Sequence, residues 1–166
     1  MSAQTVIDSL EFARTGQTLR GSLAVRTLAR LQDSLADGMG EVEFAVKGAH
    51  DARSRPVLTL EISGLLHLRC QRCLGPLEYP LRLYNTLLLV GAAEVAAGNL
   101  DDEDAEWIEA SSALDVAALV EDEVILGLPY APRHEAGLCG QGDYTAGRSS
   151  AEAAFAKLAA LKRNSH

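Results

Sequence analysis

Cysteine is scarce in this chain of 166 residues, which contains only Cys70, Cys73 and Cys139. Three cysteines cannot all pair within one chain, so the set favours a reducing compartment over a disulfide scaffold. The first residues include Asp8 and Glu11 without an apolar signal region, and no stretch approaches the roughly 18 apolar residues of a membrane span. The sequence therefore predicts a soluble cytoplasmic protein with no membrane partner.

Basic residues are absent from positions 83–132, whereas positions 99–123 hold ten acidic ones. The formal net charge is −8, but the rest of the chain has thirteen acids and fifteen bases, so the acidity is local. This balance argues against a general binder of phosphate backbones. Recognition of nucleic acid would need arginines gathered in one place.

Glycine motifs that cradle phosphate and metalloprotease motifs are also absent. A cysteine nucleophile with His134 as its base would lack an oxyanion hole and a third, orienting group. A redox role would need the first cysteine of Cys-x-x-Cys at a helix N-terminus, but a strand pattern follows the motif here. We therefore expect no enzymatic activity and keep a Cys-x-x-Cys redox protein as the least favoured alternative.

A long hairpin is the clearest pattern that is present. Apolar residues fall on even positions over 58–70 and on odd positions over 77–89, which is the two-residue period of half-buried strands. Antiparallel pairing with Cys70 opposite Leu77 and Leu66 opposite Leu81 puts both apolar sets on one face. Residues 71–76 are then the connecting loop, so Cys-x-x-Cys lies at the hairpin tip.

The remaining pattern completes an α+β domain spanning 1–166. Apolar residues make up 48% of the chain, which is enough for a core. We expect an antiparallel sheet of about four strands with a long central hairpin, helices near both ends, and an acidic mobile loop around 91–111. The predicted elements are a helix from a capping box at Thr5, a strand over 19–25, a helical segment through Leu28, Leu31 and Leu35, a strand over 42–46, a helix from a capping box at Ser112, and a last helix from Ser149 or Ser150.

Two segments carry the ligand types of a zinc site. Cys70 and Cys73 resemble half of a tetrahedral site, since a two-residue gap at a turn lets both thiolates face one ion. His134 and Cys139, separated by four residues, are the candidates for the other half. Two alternatives remain open, a Zn²⁺ site with these four ligands and plain thiols.

Four arginines, Arg69, Arg72, Arg82 and Arg133, accompany these cysteines. They are either solvated side chains or a small guanidinium patch that contacts RNA. The acidic cluster Glu121, Asp122 and Glu123 is expected in the middle of a helix and mostly in water. It is a candidate surface for a partner protein.

Several blocks together resemble a known family. They are Cys70 to Leu74 with Pro76, Val120 to Glu123 leading into Leu128 and Pro129, Pro132 to His134 with Cys139, and Phe155 to Lys162. In order and spacing they resemble the YceD family of large ribosomal RNA subunit accumulation proteins. Some branches of that family carry a second Cys-x-x-Cys where this chain has His134 and Cys139.

The resemblance implies a ribosome-biogenesis factor that supports synthesis, processing or stability of large-subunit (23S) rRNA. The implied partner is large-subunit rRNA or a pre-50S particle. Two mechanisms stay open: the arginines bind rRNA directly, or the acidic stretch 99–123 holds a basic ribosomal protein as an adaptor or chaperone. Salt dependence separates them, because neutralising phosphates gives a slope against log salt.

Overall fold

The computed structural model describes residues 6–98 and 106–139. The predicted last helix, from Ser149 or Ser150, lies outside these residues. The described strands are β1 (Val6–Ile7), β2 (Thr18–Ala24), β3 (Glu41–His50), β4 (Pro56–Arg69), β5 (Pro76–Val90), β6 (Trp107–Glu109) and β7 (Leu114–Asp115). The helices are α1 (Ser9–Thr15), α2 (Ala92–Ala97) and α3 (Val116–Gly127), and two 3₁₀ turns span Val25–Thr27 and Gln32–Ser34.

Within the described residues, the main sheet has five strands in the order β2-β3-β4-β5-β6, and a second, two-stranded sheet pairs β1 with β7. All pairings are antiparallel except that of β5 with β6, which is parallel. The α+β class and the long central hairpin are confirmed. The short strand β6 raises the count above the expected four, because the segment around Trp107 pairs with the end of β5.

The hairpin register differs from the prediction by two residues. Leu68 lies opposite Leu77 and Leu66 opposite Tyr79, whereas Leu81 lies opposite Gly64. The predicted pairing of Cys70 with Leu77 is wrong because β4 ends at Arg69 and Cys70 belongs to the turn. A shift of two leaves every side chain on its predicted face, since side chains alternate along a strand.

One face of the sheet forms the core. Leu58, Leu60, Ile62, Leu66 and Leu68 of β4 are buried there, together with partners on β3 and β5. The opposite face carries polar side chains such as Thr59, Glu61 and Ser63. This is the pattern of an antiparallel sheet covered on one side.

Helix α1 lies directly on strand β3. Its N-cap is Asp8, whose side chain accepts a hydrogen bond from the Glu11 N–H, so the predicted capping box at Thr5 is wrong. A Cβ at Gly48 would lie 2.1 Å from the Phe12 carbonyl oxygen. The close approach of helix and strand therefore depends on glycine at this position.

Two other expectations need correction. Leu28, Leu31 and Leu35 are buried, but they flank two 3₁₀ turns instead of lying on the predicted helical segment. The stretch 91–111 was expected to be a loop, yet its described part contains α2 and β6. Among the described residues, no helix is both long and apolar enough to span a bilayer.

Helix α3 packs one face into the core through Val116, Leu119, Val120 and Val124, and two acidic residues are buried beside it. The N-cap is Asp115, which accepts hydrogen bonds from Ala117 N–H and Ala118 N–H, so the cap lies three residues after the predicted Ser112. Glu121 and Glu123 are each only 8% exposed. The expectation that this cluster lies mostly in water is wrong for both residues.

Candidate metal centre

The hairpin tip is a tight turn built by residues 70–75. The Cys70 N–H donates to the Gly75 carbonyl oxygen at 2.9 Å, and the Leu74 N–H donates to the Cys70 carbonyl oxygen at 2.8 Å. Leu74 adopts φ 62°, a left-handed conformation that is rare for a bulky residue. This turn brings the side chains of Cys70 and Cys73 to the same side.

The segment that follows α3 is fastened to this turn. The Gln71 N–H donates to the Pro132 carbonyl oxygen at 2.8 Å. From the tip, Arg72 Nη2 donates to the carbonyl oxygens of His134 and Glu135, at 3.4 and 3.3 Å. The loop that carries His134 and Cys139 is therefore held against the two cysteines of the hairpin.

The four predicted ligands meet at one point. Their ligand atoms all lie within 4.8 Å of one another. Cys70 Sγ lies 3.7 Å from Cys139 Sγ, and His134 Nδ1 lies 3.4 Å from Cys73 Sγ and 3.6 Å from Cys139 Sγ. All three cysteines are free.

The three short separations, one between two sulfurs and two between a sulfur and Nδ1, are close to those of a tetrahedral metal site. With Zn–S bonds of about 2.3 Å and Zn–N bonds of about 2.05 Å, a tetrahedron separates two sulfurs by about 3.75 Å and a sulfur from a nitrogen by about 3.55 Å. A disulfide would need sulfurs about 2.05 Å apart. The cluster can therefore hold a metal ion through three sulfurs and one imidazole nitrogen.

The orientation of His134 suits this role. Its Nε2 lies 2.8 Å from the Pro76 carbonyl oxygen, which can only accept, so Nε2 carries a hydrogen and donates. In the neutral ring, Nδ1 then presents its lone pair to the sulfurs. A histidine ligand fixed by a carbonyl through its other nitrogen is the usual arrangement in protein metal sites.

The turn also favours the thiolate forms that a metal requires. Burial by itself raises the pKa of Cys70, but N–H groups of Cys73, His134 and Arg72 lower it from 9.0 to about 5. Burial likewise raises the pKa of Cys139, and the Arg72 guanidinium, whose Nε donates to Sγ at 2.9 Å, outweighs it. These donors stabilise negative charge where a cation would bind.

The other two ligands have raised pKa values. The Gly75 N–H lowers the pKa of Cys73, but burial and the neighbouring sulfurs of Cys139 and Cys70 outweigh it. The Cys139 sulfur, and then the Pro76 carbonyl, raise the pKa of His134. Three sulfurs and an imidazole at this distance compete for protons, and a bound metal would displace them.

The model of one protein family matches residues 58–162, nearly two thirds of the chain. Its description is large ribosomal RNA subunit accumulation protein YceD. The chain belongs to this family. The matched part contains β4 from Leu58 onward, β5, α3 and all four members of the sulfur and imidazole cluster. No solved structure matches the chain.

In this member of the YceD family, the four predicted arginines do not form one patch. Arg72 donates to Cys139 Sγ of the ligand cluster. Arg69 Nη2 donates to the Leu35 carbonyl oxygen at 3.2 Å. Arg82 lies opposite Ser63, six residues along β5 from Pro76, which is about 20 Å in an extended strand. Arg133 is exposed in the loop beside His134. An RNA-binding role for these arginines stays a prediction.

The acidic cluster of this YceD protein has partners within the chain. Glu121 accepts from the Arg30 N–H at 2.7 Å and from Arg30 Nε at 3.2 Å, and Asp122 accepts from Arg30 Nη1 at 2.5 Å. Glu123 accepts from Asn85 Nδ2 at 2.9 Å. Its candidate role in binding a partner protein stays a prediction, but only Asp122 of the three is solvent-exposed.

Sequence reasoning missed the role of Arg72, which donates to a ligand sulfur and to the loop that carries the other ligands. The available signal was its position between Cys70 and Cys73, where the side chain can reach the same side of the turn. It also missed Pro76 as the carbonyl that orients His134. Every residue has a backbone carbonyl, so the residue type does not show which carbonyl will accept a hydrogen bond from a ligand.

Proposed function

We propose that this protein is a non-enzymatic cytoplasmic factor that supports accumulation of large-subunit (23S) rRNA. Membership of the YceD family is the observation that carries this proposal. The factor acts on large-subunit rRNA or on a pre-50S particle. The metal centre has a structural role in it, since it joins the hairpin tip to the loop that follows α3.

We infer that the metal is Zn²⁺. Three thiolates and one imidazole are soft and borderline ligands, and a closed set of four suits a structural zinc ion without an open position for catalysis. Protein purified without chelator should contain about one equivalent of zinc. Less than a tenth of an equivalent, with no change in stability on chelation, contradicts this assignment.

Direct contact with rRNA is the mechanism that we favour. A chain with a net charge of −8 can approach RNA only where positive charge is gathered away from its acids. Arg69 and Arg133 are exposed and belong to the two segments that the metal cluster joins. Arg72 supports this surface indirectly, because it holds the loop that carries Arg133.

The acidic adaptor for a basic ribosomal protein is the second mechanism. The buried positions of Glu121 and Glu123, and their bonds to Arg30 and Asn85, count against it. The acidic residues still available to bind a basic protein are those at 101–104 and the exposed Glu106 and Glu109.

Complementation of cells that lack the protein tests the proposal and separates the mechanisms. Arg69→Ala combined with Arg133→Ala should reduce 23S rRNA and large subunits, whereas neutralising Asp101, Asp102 and Asp104 to Asn should not. The matched control is Arg14→Ala with Arg26→Ala, two exposed arginines outside the family match. Thermal melts should change little in every variant, since exposed charges contribute little to stability and Arg69→Ala removes a single hydrogen bond, to the Leu35 carbonyl oxygen.

Two outcomes would contradict these proposals. If the Arg69 and Arg133 variant complements fully and the acidic variant fails, the adaptor mechanism replaces direct binding. If cells without the protein keep normal 23S rRNA, the function itself is wrong. Crosslinking in cells, followed by identification of the bound RNA or protein, gives an independent readout.

A further inference from the structure

In the described part of the chain, strand β2 is an edge of the main sheet, and backbone groups on its outer side have no partner. Gln17 O accepts from the Gly48 N–H, and the Val25 N–H donates to Gly40 O, so odd-numbered residues of this segment face β3. The even-numbered residues Thr18, Arg20 and Ser22 therefore direct their N–H and C=O groups outward. Within residues 6–98 and 106–139, these groups have no hydrogen-bond partner.

The outer side of β5 is protected, in contrast. Its even-numbered residues face outward, because the Leu88 N–H donates to the Glu106 carbonyl oxygen on the β6 side. Pro76 and Pro80 occupy two of these positions and have no N–H, and the Thr86 N–H is satisfied by Asn85 Oδ1. Prolines and local caps are devices that prevent pairing with another strand. Strand β2 contains no proline, so it is open to pairing.

We propose that β2 pairs antiparallel with β2 of a second copy of this chain around a two-fold axis at Gly21, which joins two five-stranded sheets into one. In this register Arg20 lies opposite Ser22 of the second copy, and Thr18 lies opposite Ala24. All seven residues of β2 overlap, and outward-facing residues meet in hydrogen-bonded pairs. The Ala24 carbonyl oxygen already accepts from Thr27 Oγ1 at 2.7 Å and would use its second lone pair for Thr18 of the other copy.

Charge selects this register over its neighbours. A shift that centres the axis on Arg20 would place two arginines directly opposite each other, which is unfavourable, and a shift to Ser22 shortens the overlap. With the axis at Gly21, Arg20 reaches across a small serine toward Glu43 of the other copy, two strand spacings or about 10 Å away. Arg20 and Glu43 are exposed, and neither has an ion pair among the described residues.

Phe44 completes the complementarity on the core face. It lies opposite Gly21, and a Cβ at Gly21 would lie 2.8 Å from its ring Cζ, so the ring extends over the glycine toward the sheet edge. Phe44 is only half-buried in the single chain. At the two-fold axis, two glycines would lie between two Phe44 rings, and pairing would cover the exposed ring edges.

Sedimentation velocity of the full chain tests the proposal at protein concentrations from about 1 to 100 µM, because a short strand interface gives a weak dimer. The wild type should show a reversible monomer–dimer equilibrium. Arg20→Glu and Glu43→Arg should each weaken it by about tenfold or more, and combining them should restore it, since the ion pair is reversed in place. Ser22→Pro should abolish it by removing an outward N–H.

Glu61→Arg is the matched control, an equal charge change on the same sheet face but one strand further from the edge, and it should leave dimerisation unchanged. Equal melting temperatures at low concentration show that each variant is folded. A wild type that stays monomeric at every concentration overturns the proposal. So does a dimer that Arg20→Glu and Ser22→Pro leave intact, or a double reversal no stronger than the single variants.

Discussion

The base and the tip of the β4–β5 hairpin differ in what stabilises them. At the base, Leu58 and Leu87 are opposite one another in the core, and β4 has strands on both sides. At the tip, the turn 70–75 is stabilised by its backbone hydrogen bonds and by the cluster of three sulfurs, one imidazole and the Arg72 guanidinium. Apolar burial does not depend on pH or on chelators, whereas thiolates do. The base and the tip of the hairpin should therefore lose stability under different conditions.

The largest effect is expected at the base. Leu58→Asp places an unpaired carboxylate among apolar side chains and should cost several kcal/mol, enough to unfold a domain of ordinary stability. Thr59→Ser, one residue along the same strand on the other face, should cost about 0.5 kcal/mol or less. Urea unfolding monitored by circular dichroism measures both. Equal losses at the two positions would contradict the assignment of faces.

A smaller loss of stability, which depends on whether zinc is bound, is expected at the tip. Free zinc at about one hundred times its dissociation constant stabilises a native protein by about 2.7 kcal/mol, so chelation of the wild type should remove about that much. Cys73→Ala should lose most of this response because three ligands bind zinc more weakly. Melting with and without chelator checks this. An identical chelator response in wild type and variant would show that Cys73 is not a ligand.

The smallest effect is the pH dependence of the metal-free tip. Because the pKa of folded Cys70 is lowered from 9.0 to about 5, the unfolded chain binds more protons than the folded one between these values. The contribution of this thiolate to stability is complete above about pH 9 and is lost as the pH falls to about 5. Reduced, metal-free protein should therefore resist urea better at pH 8 than at about pH 6.

Cys70→Ala is the control for that dependence, because it removes the thiolate and should flatten the slope. The raised pKa of His134 acts in the opposite direction near neutral pH and reduces the net slope. A slope of equal size in Cys70→Ala would assign the dependence to other groups.

The faces of the hairpin could be read from sequence, but its register could not. A two-residue period is unchanged by a shift of two, so the pattern allows both Leu66 opposite Leu81 and the observed Leu66 opposite Tyr79. The choice is made by the turn, where the Cys70 N–H bonds to Gly75 and Leu74 has a positive φ. A positive φ is predicted from sequence where glycine or asparagine occurs, because these residues adopt it readily. Leucine rarely does, so the sequence did not indicate this conformation at Leu74.

The candidate metal ligands were predictable for the opposite reason. Cysteine is so rare here that Cys70, Cys73 and Cys139 could be considered together, and His134 was the histidine with a suitable spacing. The burial of Glu121 was not predictable, because its partner Arg30 lies 91 positions away in the chain. Long-range pairs of this kind decide whether an acidic residue on a helix faces water or the protein.

The pairing of β1 with β7 has a consequence for the order of folding. Ser9 Oγ accepts from the Ser111 N–H across 102 positions of chain, and the two strands contribute only two residue pairs. Closing so long a loop costs entropy that two pairs cannot offset by themselves, whereas β4 and β5 close through a turn of six residues. We therefore expect the hairpin to form early, during synthesis, and the N-terminal strand to dock late. Amide hydrogens of β1 should accordingly exchange with solvent first, through an opening that leaves the five-stranded sheet intact.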